Sequence, residues 1–416
     1  MYFYDKEFQN VILFLIFQMD SKTVTLLSPS DPLPSGADAI NSLPDEVLLI
    51  IFRFLNSEFI VKNISKVSQR FEALSKSPTL LEYMIFTREN SSDESMIDAL
   101  KRSKNLKHLW FEGCVEPYIS KILNIAMTQC PRIILEDCQI NAWVLFHIIA
   151  YGGKIERFHI SGCNIINQKF IFPEIFTKWE KLRILVFYRL DGCPSGQKIL
   201  ETLANTCENL QELTLLDQNN KEYTHMNKDQ EILYTFLMNC KCTLRVFRTN
   251  YMWDVDDDFE KFFDLLGKCT NLEHLEITNI WPQNIATFFL AISNIKNLTH
   301  LDIQDYDNVY YHVSPIDIIA LFNSGHLKNL KILEIGDIYD PTEFVNVSEI
   351  VEAIHRGCPN LEDLNLDFAA TEFDNGRIVY CIGCEVYHLK KQKFSRKCPY
   401  TERNVLKNAC SWLMKD

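Results

Sequence analysis

Fourteen cysteines, ten histidines and a run of carboxylates are the side chains in this 416-residue chain whose types suit chemistry. The most suggestive group lies near the C-terminus. There Cys381 and Cys384 stand with two residues between them, and Cys398, Cys410 and His388 lie within the same stretch, enough soft donors for a tetrahedral zinc ion. The first pair has zinc-ligand spacing and the second does not, so an irregular capping element or a tail with free thiols competes with a metal site, and we expect no metal. The run "DVDDDFEKF" from Asp254 is rich in carboxylates, as a calcium loop is, but lacks the glycine of the sharp turn and the terminal bidentate glutamate. Acidic residues at a helix start serve the free amides and the dipole there. There is no G-x-S-x-G elbow, no phosphate-binding G-x-x-x-x-G-K-[ST] and no H-E-x-x-H. A nucleophilic cysteine would need a depressed pKa beside a histidine. The expectation is a protein without an active site or cofactor.

Most of the cysteines have another use. Cys207, Cys269 and Cys358 occur in "CENLQEL", "CTNLEHL" and "CPNLEDL", and Cys130 stands likewise three residues before an aliphatic side chain. Cys114, Cys138 and Cys163 close comparable segments. Recurrence in fixed slots implies small buried hydrophobes, reduced, in a cytoplasmic or nuclear setting.

Those slots belong to a repeat. L-x-x-L-x-L occurs at Leu106, Leu182, Leu210, Leu272, Leu298, Leu330 and Leu361, with weaker copies at Ile155, Leu244 and near Ile133. From Leu182 onward successive copies, Leu244 included, lie 26 to 34 residues apart. Between them, "DDDFEKFFDLLGKC", "PIDIIALFNSG" and "VSEIVEAIHRGC" carry apolar residues at helical spacing. Each unit reads as strand plus helix and cannot cover its own apolar face, so neighbours must stack. The pattern resembles the cysteine-containing leucine-rich repeats, which implies an α/β fold: a leucine-rich-repeat solenoid, horseshoe-like, over residues 87–370. The stretch "LLDQNNKEYTHMNKDQEI" reads as a loop outside the stack.

Alternation along the strands sorts their side chains. In "HLEIT", Leu275 and Ile277 point to the core while His274 and Glu276 face the concave surface. The same offsets put Trp110, Arg157, His159 and Tyr188 on the early concave strands and Glu334, Asp363 and Asp367 on the late ones. Aromatic and mildly basic side chains thus give way to acidic ones. As a set they suit a protein target, and the acidic end suits a basic segment of it.

Upstream, "SLPDEVLLIIFRFL" places apolar side chains around most of a helical circumference, interrupted only by Arg53. Pro44 at the first helical position, with Asp45 and Glu46 behind it, marks the start. In "FIVKNISKVSQRFEAL", Ile60, Ile64, Val67, Phe71 and Leu74 form one helical stripe. Residues 40–86 therefore read as three short helices, too few for a comfortable independent core. A surplus apolar face on so small a bundle is usually handed to a partner. The run "LPDEVLLIIFRFL…ISKVSQRF…SPTLL" resembles the F-box, the module that docks onto the Skp-type adaptor of cullin-RING ubiquitin ligases. It departs at Ile60, Lys66, Phe71 and Leu81. The resemblance implies an adaptor-binding set of Leu43, Pro44, Glu46, Val47, Leu48, Ile51, Phe52, Leu55, Val67 and Phe71. It also implies a role as substrate-recognition subunit of an SCF-type ligase, linked through the adaptor to a cullin and presenting a target protein for ubiquitination. The alternative is a binding scaffold in which the bundle only caps the first repeat.

The net charge of −13 argues against binding to a phosphate backbone. The apolar run Val11–Phe17 is far shorter than a membrane span of ~20 residues, so neither nucleic acid nor a membrane is an expected partner. Residues 1–39 read as a disordered leader, of which the first 18 are an optional extension. Residues 371–416, with nine Lys/Arg against five Asp/Glu, read as a basic tail or cap.

Overall fold

The computed structural model describes residues 40, 43–126, 130–166, 179–188, 201, 203–216, 227–249, 259–278, 282–304, 313–338, 347–368, 377–381 and 386–388. The expected leader, Cys384, Cys398 and Cys410 lie outside them. The described residues form two compact units, one up to Cys130 and the other from Pro131 onward.

The first unit begins with helix α1 (Asp45–Phe52). A second helical stretch runs from Ser57 to Val67 and widens to π geometry over Ile60–Ile64. Helix α2 (Gln69–Ser75) and a 3-10 turn at Pro78–Leu80 complete the bundle. Its core is Leu48, Phe52, Leu55, Ile60, Ile64, Phe71, Leu74 and Leu80. The single stripe expected from Ile60 to Leu74 is broken at Ser68. That residue is extended (φ −159°, ψ 165°) and accepts the Phe71 amide on its hydroxyl, starting α2 anew. Val67 consequently turns out of the core. Tyr83–Thr87, expected inside the helical bundle, is instead strand β1, parallel to β2 (His108–Glu112). Helix α3 (Glu94–Arg102) connects them and α4 (Glu116–Ala126) follows.

The second unit repeats that alternation. The strands of its main sheet are β3 (Arg132–Glu136), β4 (Arg157–Ser161), β5 (Ile184–Tyr188), β6 (Glu212–Leu216), β7 (Val246–Thr249), β8 (His274–Thr278), β9 (His300–Gln304), β10 (Ile332–Ile338) and β11 (Asp363–Phe368), parallel neighbours in chain order, and the short segments Gln139–Asn141 and Asn164–Ile166 pair in a separate two-stranded sheet. Helices α5 (Ala142–Ala150), α6 (Asn227–Cys240), α7 (Phe259–Gly267), α8 (Pro282–Ile292), α9 (Pro315–Asn323) and α10 (Val347–Gly357) lie between strands. Asn227 onward, expected as loop, is thus the start of α6. Two strands of the expected tail continue the sheet antiparallel, β12 (Arg377–Cys381) pairing with β11 and β13 (Val386–His388) with β12.

The first, fourth and sixth positions of the L-x-x-L-x-L segments are the buried ones, as Leu272, Leu275 and Ile277 show. Leu275 and Ile277 stand in register with Leu301 and Ile303, all at most 3% exposed. The unit is held along its length by an asparagine ladder that the recurring N-L pair encodes. The side-chain amides of Asn209, Asn271, Asn297, Asn329 and Asn360 donate at 2.7 to 3.0 Å to the carbonyls of Glu180, Cys242, Thr270, Lys296 and Lys328, one repeat earlier in each case. Each bond satisfies a carbonyl in the turn ahead of a strand, where no strand partner reaches it.

Of the nine cysteines whose side chains are described, eight are buried. Burial pushes the thiols of Cys240, Cys269 and Cys358 up to about 11, about 12 and about 12. They pack as small hydrophobes, and a thiol held protonated is a poor nucleophile.

Candidate functional site

At 100° per residue, Pro44, Val47, Ile50 and Phe54 fall within a ~120° arc of α1 and the turn that extends it, while Leu48, Leu55 and Phe52 occupy the adjoining arc. The burial follows this division. Leu48 and Phe52 are 1% exposed, whereas Val47, Ile50 and Phe54 are 37%, 55% and 44% exposed. Leu43 and Ile51 fall in the same arc as the exposed residues but are half-buried and pack against the core. The apolar circumference therefore has two destinations, the bundle's own core and solvent. Val67, 43% exposed, adds a further apolar side chain to the bundle's surface.

Of the residues expected to bind an adaptor, Pro44, Glu46, Val47 and Val67 are exposed, with Leu43 and Ile51 partly so. Leu48, Phe52, Leu55 and Phe71 are in the core, where Phe52 and Phe71 meet edge to face at 5.2 Å. They support the exposed face from behind and cannot form it. Ile50 and Phe54 are absent from the expected set, although their place in the arc was readable from the spacing.

The start of α1 is clamped from α2. Arg70 donates from Nε and Nη2 to Asp45 Oδ1 (2.8 and 2.5 Å) and from Nη2 to the Leu43 carbonyl (2.6 Å). One guanidinium thus fixes the residues on either side of Pro44, and its fork geometry suits that task better than a lysine would. The pair is half-exposed, so its importance lies in direction more than in energy.

The sheet face expected to meet a target is less open than alternation alone suggested. Arg157 and His159 are 8% and 7% exposed. His159 lies in register between Ile134 and Val186, whose side chains flank it, and its Nδ1 is buried without a hydrogen-bond partner. Desolvation, with the Arg157 charge, holds its pKa down to about 4, so the ring is neutral. Neither residue can touch a partner as placed. Trp110 is half-buried, its Nε1 enclosed without a hydrogen-bond partner, and Tyr188 is half-buried.

At the acidic end, register lines up Arg248, Glu276, Asp302, Glu334 and Asn365 across β7 to β11. Arg248 Nε lies 3.3 Å from Glu276 Oε2 and donates to His274 Nε2 at 3.2 Å. Asn365 Nδ2 donates to Glu334 Oε2 at 3.3 Å. Burial raises the Glu276 pKa, Arg248 opposing and Glu334 reinforcing it. His274 and His300 stack at 4.2 Å, both driven toward the neutral form by burial and by Arg248. Asp363 is half-buried; the Asp367 side chain lies outside the described residues.

Among the described residues, no group of three or more His, Cys, Asp or Glu could hold a metal ion, and no helix is long and apolar enough to cross a membrane.

Among solved structures, a chain of the "Crystal structure of Rad7 and Elc1 complex in yeast" is similar at 14% identity, over 86% of this chain and 87% of that one, with a TM-score of 0.48. No curated protein matches the sequence. The family model of the F-box domain matches residues 40–83. The bundle that divides its apolar side chains between core and solvent is an F-box domain.

Proposed function

We propose that this protein is the substrate-recognition subunit of an SCF-type, cullin-RING E3 ubiquitin ligase. The F-box would dock a Skp-type adaptor, and through it a cullin, while the strand–helix repeats, a leucine-rich-repeat solenoid in this reading, bind the target. The observation that carries it is the exposed stripe Val47, Ile50 and Phe54 on a domain that matches the F-box. Large apolar side chains so exposed on a small bundle are stabilised by a partner that covers them. The protein's contribution is proximity and orientation, not chemistry. Its reduced, buried thiols suit a cytoplasmic or nuclear protein. Trp110, Tyr188, Glu334 and Asp363 are the expected residues left in reach of a target, and the carboxylates favour a basic segment.

The test is co-purification with a Skp-type adaptor, comparing the native chain with Val47→Glu/Ile50→Glu. Loss of the complex in a folded double variant supports the reading. A native chain that binds no adaptor refutes it and leaves the bundle as a cap.

A further inference from the structure

A connected polar network joins the F-box bundle to the strand and helix that follow it. Asn90, in the turn after β1, is fully buried. Its Oδ1 accepts the Thr87 amide at 2.9 Å, and its Nδ2 donates to Glu58 Oε2 at 2.8 Å and toward the Ile85 carbonyl at 3.5 Å. The other Glu58 oxygen accepts from Lys62 at 2.8 Å, and Lys62 lies 3.1 Å from Asp93 Oδ2. Asp93 in turn caps α3, its Oδ1 accepting from the Ser95 amide and hydroxyl at 2.9 and 2.7 Å. Beside this chain, Ser57 Oγ accepts the Ile85 amide of β1 at 3.3 Å. At the far end of α3, buried Ser103 donates to the Leu81 carbonyl at 2.7 Å.

We propose that Asn90 and Glu58 are positioning residues that lock the F-box docking face to the strands of the first unit, so that a protein held on α1 moves with β1 and β2 as one body.

Three features carry this. Apolar packing between a bundle and a strand tolerates small slides, whereas hydrogen bonds have a direction and fail when the groups turn. The Asn90 amide has partners at both ends and each Glu58 oxygen accepts a hydrogen bond, and the fully buried Asn90 amide, left without its partner, would lose its solvation for nothing in return. The ties also sit at both ends of α3, through Asp93 and Ser103, so rotation about either one strains the other. Ionisation matches the arrangement. The hydrogen bond to Glu58 raises the Lys62 pKa, and the bonds from Ser95 hold the Asp93 carboxyl down to about 2, keeping both ends of the link charged at neutral pH. The rigidity follows from the geometry alone; its use in presenting a target rests on the ligase reading.

The experiment places genetically encoded spin labels at exposed Arg53 and Lys104 in the full chain, leaving native cysteines untouched, and measures their distance distribution by double electron–electron resonance. The native chain should give one narrow distance. Asn90→Asp sets a carboxylate against Glu58 and should broaden the distribution. Adding Glu58→Gln restores an amide–carboxylate pair with the partners exchanged and should narrow it again. Simple loss of stability would not give that reciprocal rescue. Adaptor affinity, read in parallel, should change by no more than about twofold in the variants, because none of them replaces a residue of the exposed α1 stripe. A broad native distribution, a narrow one in folded Asn90→Asp, or failure of the exchanged pair to restore it would each overturn the proposal. If Asn90→Asp does not fold, Glu58→Gln alone and Ser103→Ala carry the same test by the same criteria. A native chain that binds no adaptor but gives the narrow, broad, narrow series refutes the ligase reading and leaves the lock standing.

Discussion

Ile50 and Phe52 are two residues apart on one helix and should respond oppositely to substitution. Fully burying an isoleucine side chain contributes ~1.5–3 kcal/mol. Ile50 is 55% exposed, so roughly half of that, ~1–1.5 kcal/mol, is still available to a partner, a factor of ~5–12 in Kd. Ile50→Ala should weaken adaptor binding by about that factor, measured by titration calorimetry against a purified Skp-type adaptor. Ile50→Glu forces an unpaired carboxylate into the contact at several kcal/mol and should weaken it more than about 100-fold. Stability should hardly move, since an exposed substitution usually stays within ~0.5 kcal/mol. Phe52→Ala empties a site that is 1% exposed and should cost ~3–5 kcal/mol of stability, a large part of a domain's ~5–15 kcal/mol. Its loss of binding would follow from unfolding. Native affinity in Ile50→Glu, or unfolding in Ile50→Ala, would refute the division of the helix into a supporting and a docking face.

Asn329→Ala removes one rung of the ladder and orphans the Lys296 carbonyl; it should destabilise the second unit by ~1–2 kcal/mol and speed amide exchange between α8 and β10, read by hydrogen-exchange mass spectrometry. Mass mapping after brief iodoacetamide treatment should find Cys242 alkylated and the eight buried cysteines protected until denaturant is added. Gly357→Ala should destabilise α10, because a Cβ there would lie 2.3 Å from the Phe322 carbonyl oxygen; thermal melts check it. His300, whose pKa is held down to about 4 by burial and Arg248, binds its proton more readily when unfolded, so its contribution to stability is complete above about pH 6.5 and is lost as pH falls toward 4. Glu276, raised by burial, works in the opposite sense, so the measurement is the difference between the native chain and His300→Gln, whose melting temperature should fall less over that window.

How much the sequence disclosed depended on whether a feature is periodic. The strand cores were legible because Leu275 and Ile277 recur with the same two-residue alternation in every unit. The cysteine slots were legible for the same reason. What failed were features set by one local bond or by neighbours in space. Ser68 breaks a helical stripe that spacing alone runs straight through, because its hydroxyl offers the Phe71 amide an alternative to the helix. Arg157 and His159 have the alternation of open strand residues, yet Ile134 and Val186 from the adjacent strands flank His159, and no pattern within one strand reports that. The asparagine ladder falls between the two cases. The N-L pair recurs visibly, but its bond runs to the preceding repeat, so its role appears only when the repeats are stacked.

The same distinction explains why the first helix could be read as greasy but not divided. Amphipathicity tells core from solvent when one face is polar; here Val47, Ile50 and Phe54 are as apolar as Leu48 and Phe52. Only the position of the rest of the bundle separates them. That position is set by polar groups: Arg70 holds Leu43 and Asp45, and Asn56 caps the next helical stretch through the Phe59 amide at 2.7 Å. The stretch from Ser57 to Val67 does two things at once. It contributes Ile60 and Ile64 to the bundle core and Ser57 and Glu58 to the network reaching β1 and Asn90. Capping the first strand and offering α1 to a partner are therefore compatible uses of one bundle: the cap consumes one side of the middle helix and leaves the exposed arc of α1 untouched. A bundle that served only as a cap would gain nothing from an isoleucine 55% exposed at position 50, where glutamate or lysine would satisfy the helix and the solvent equally well.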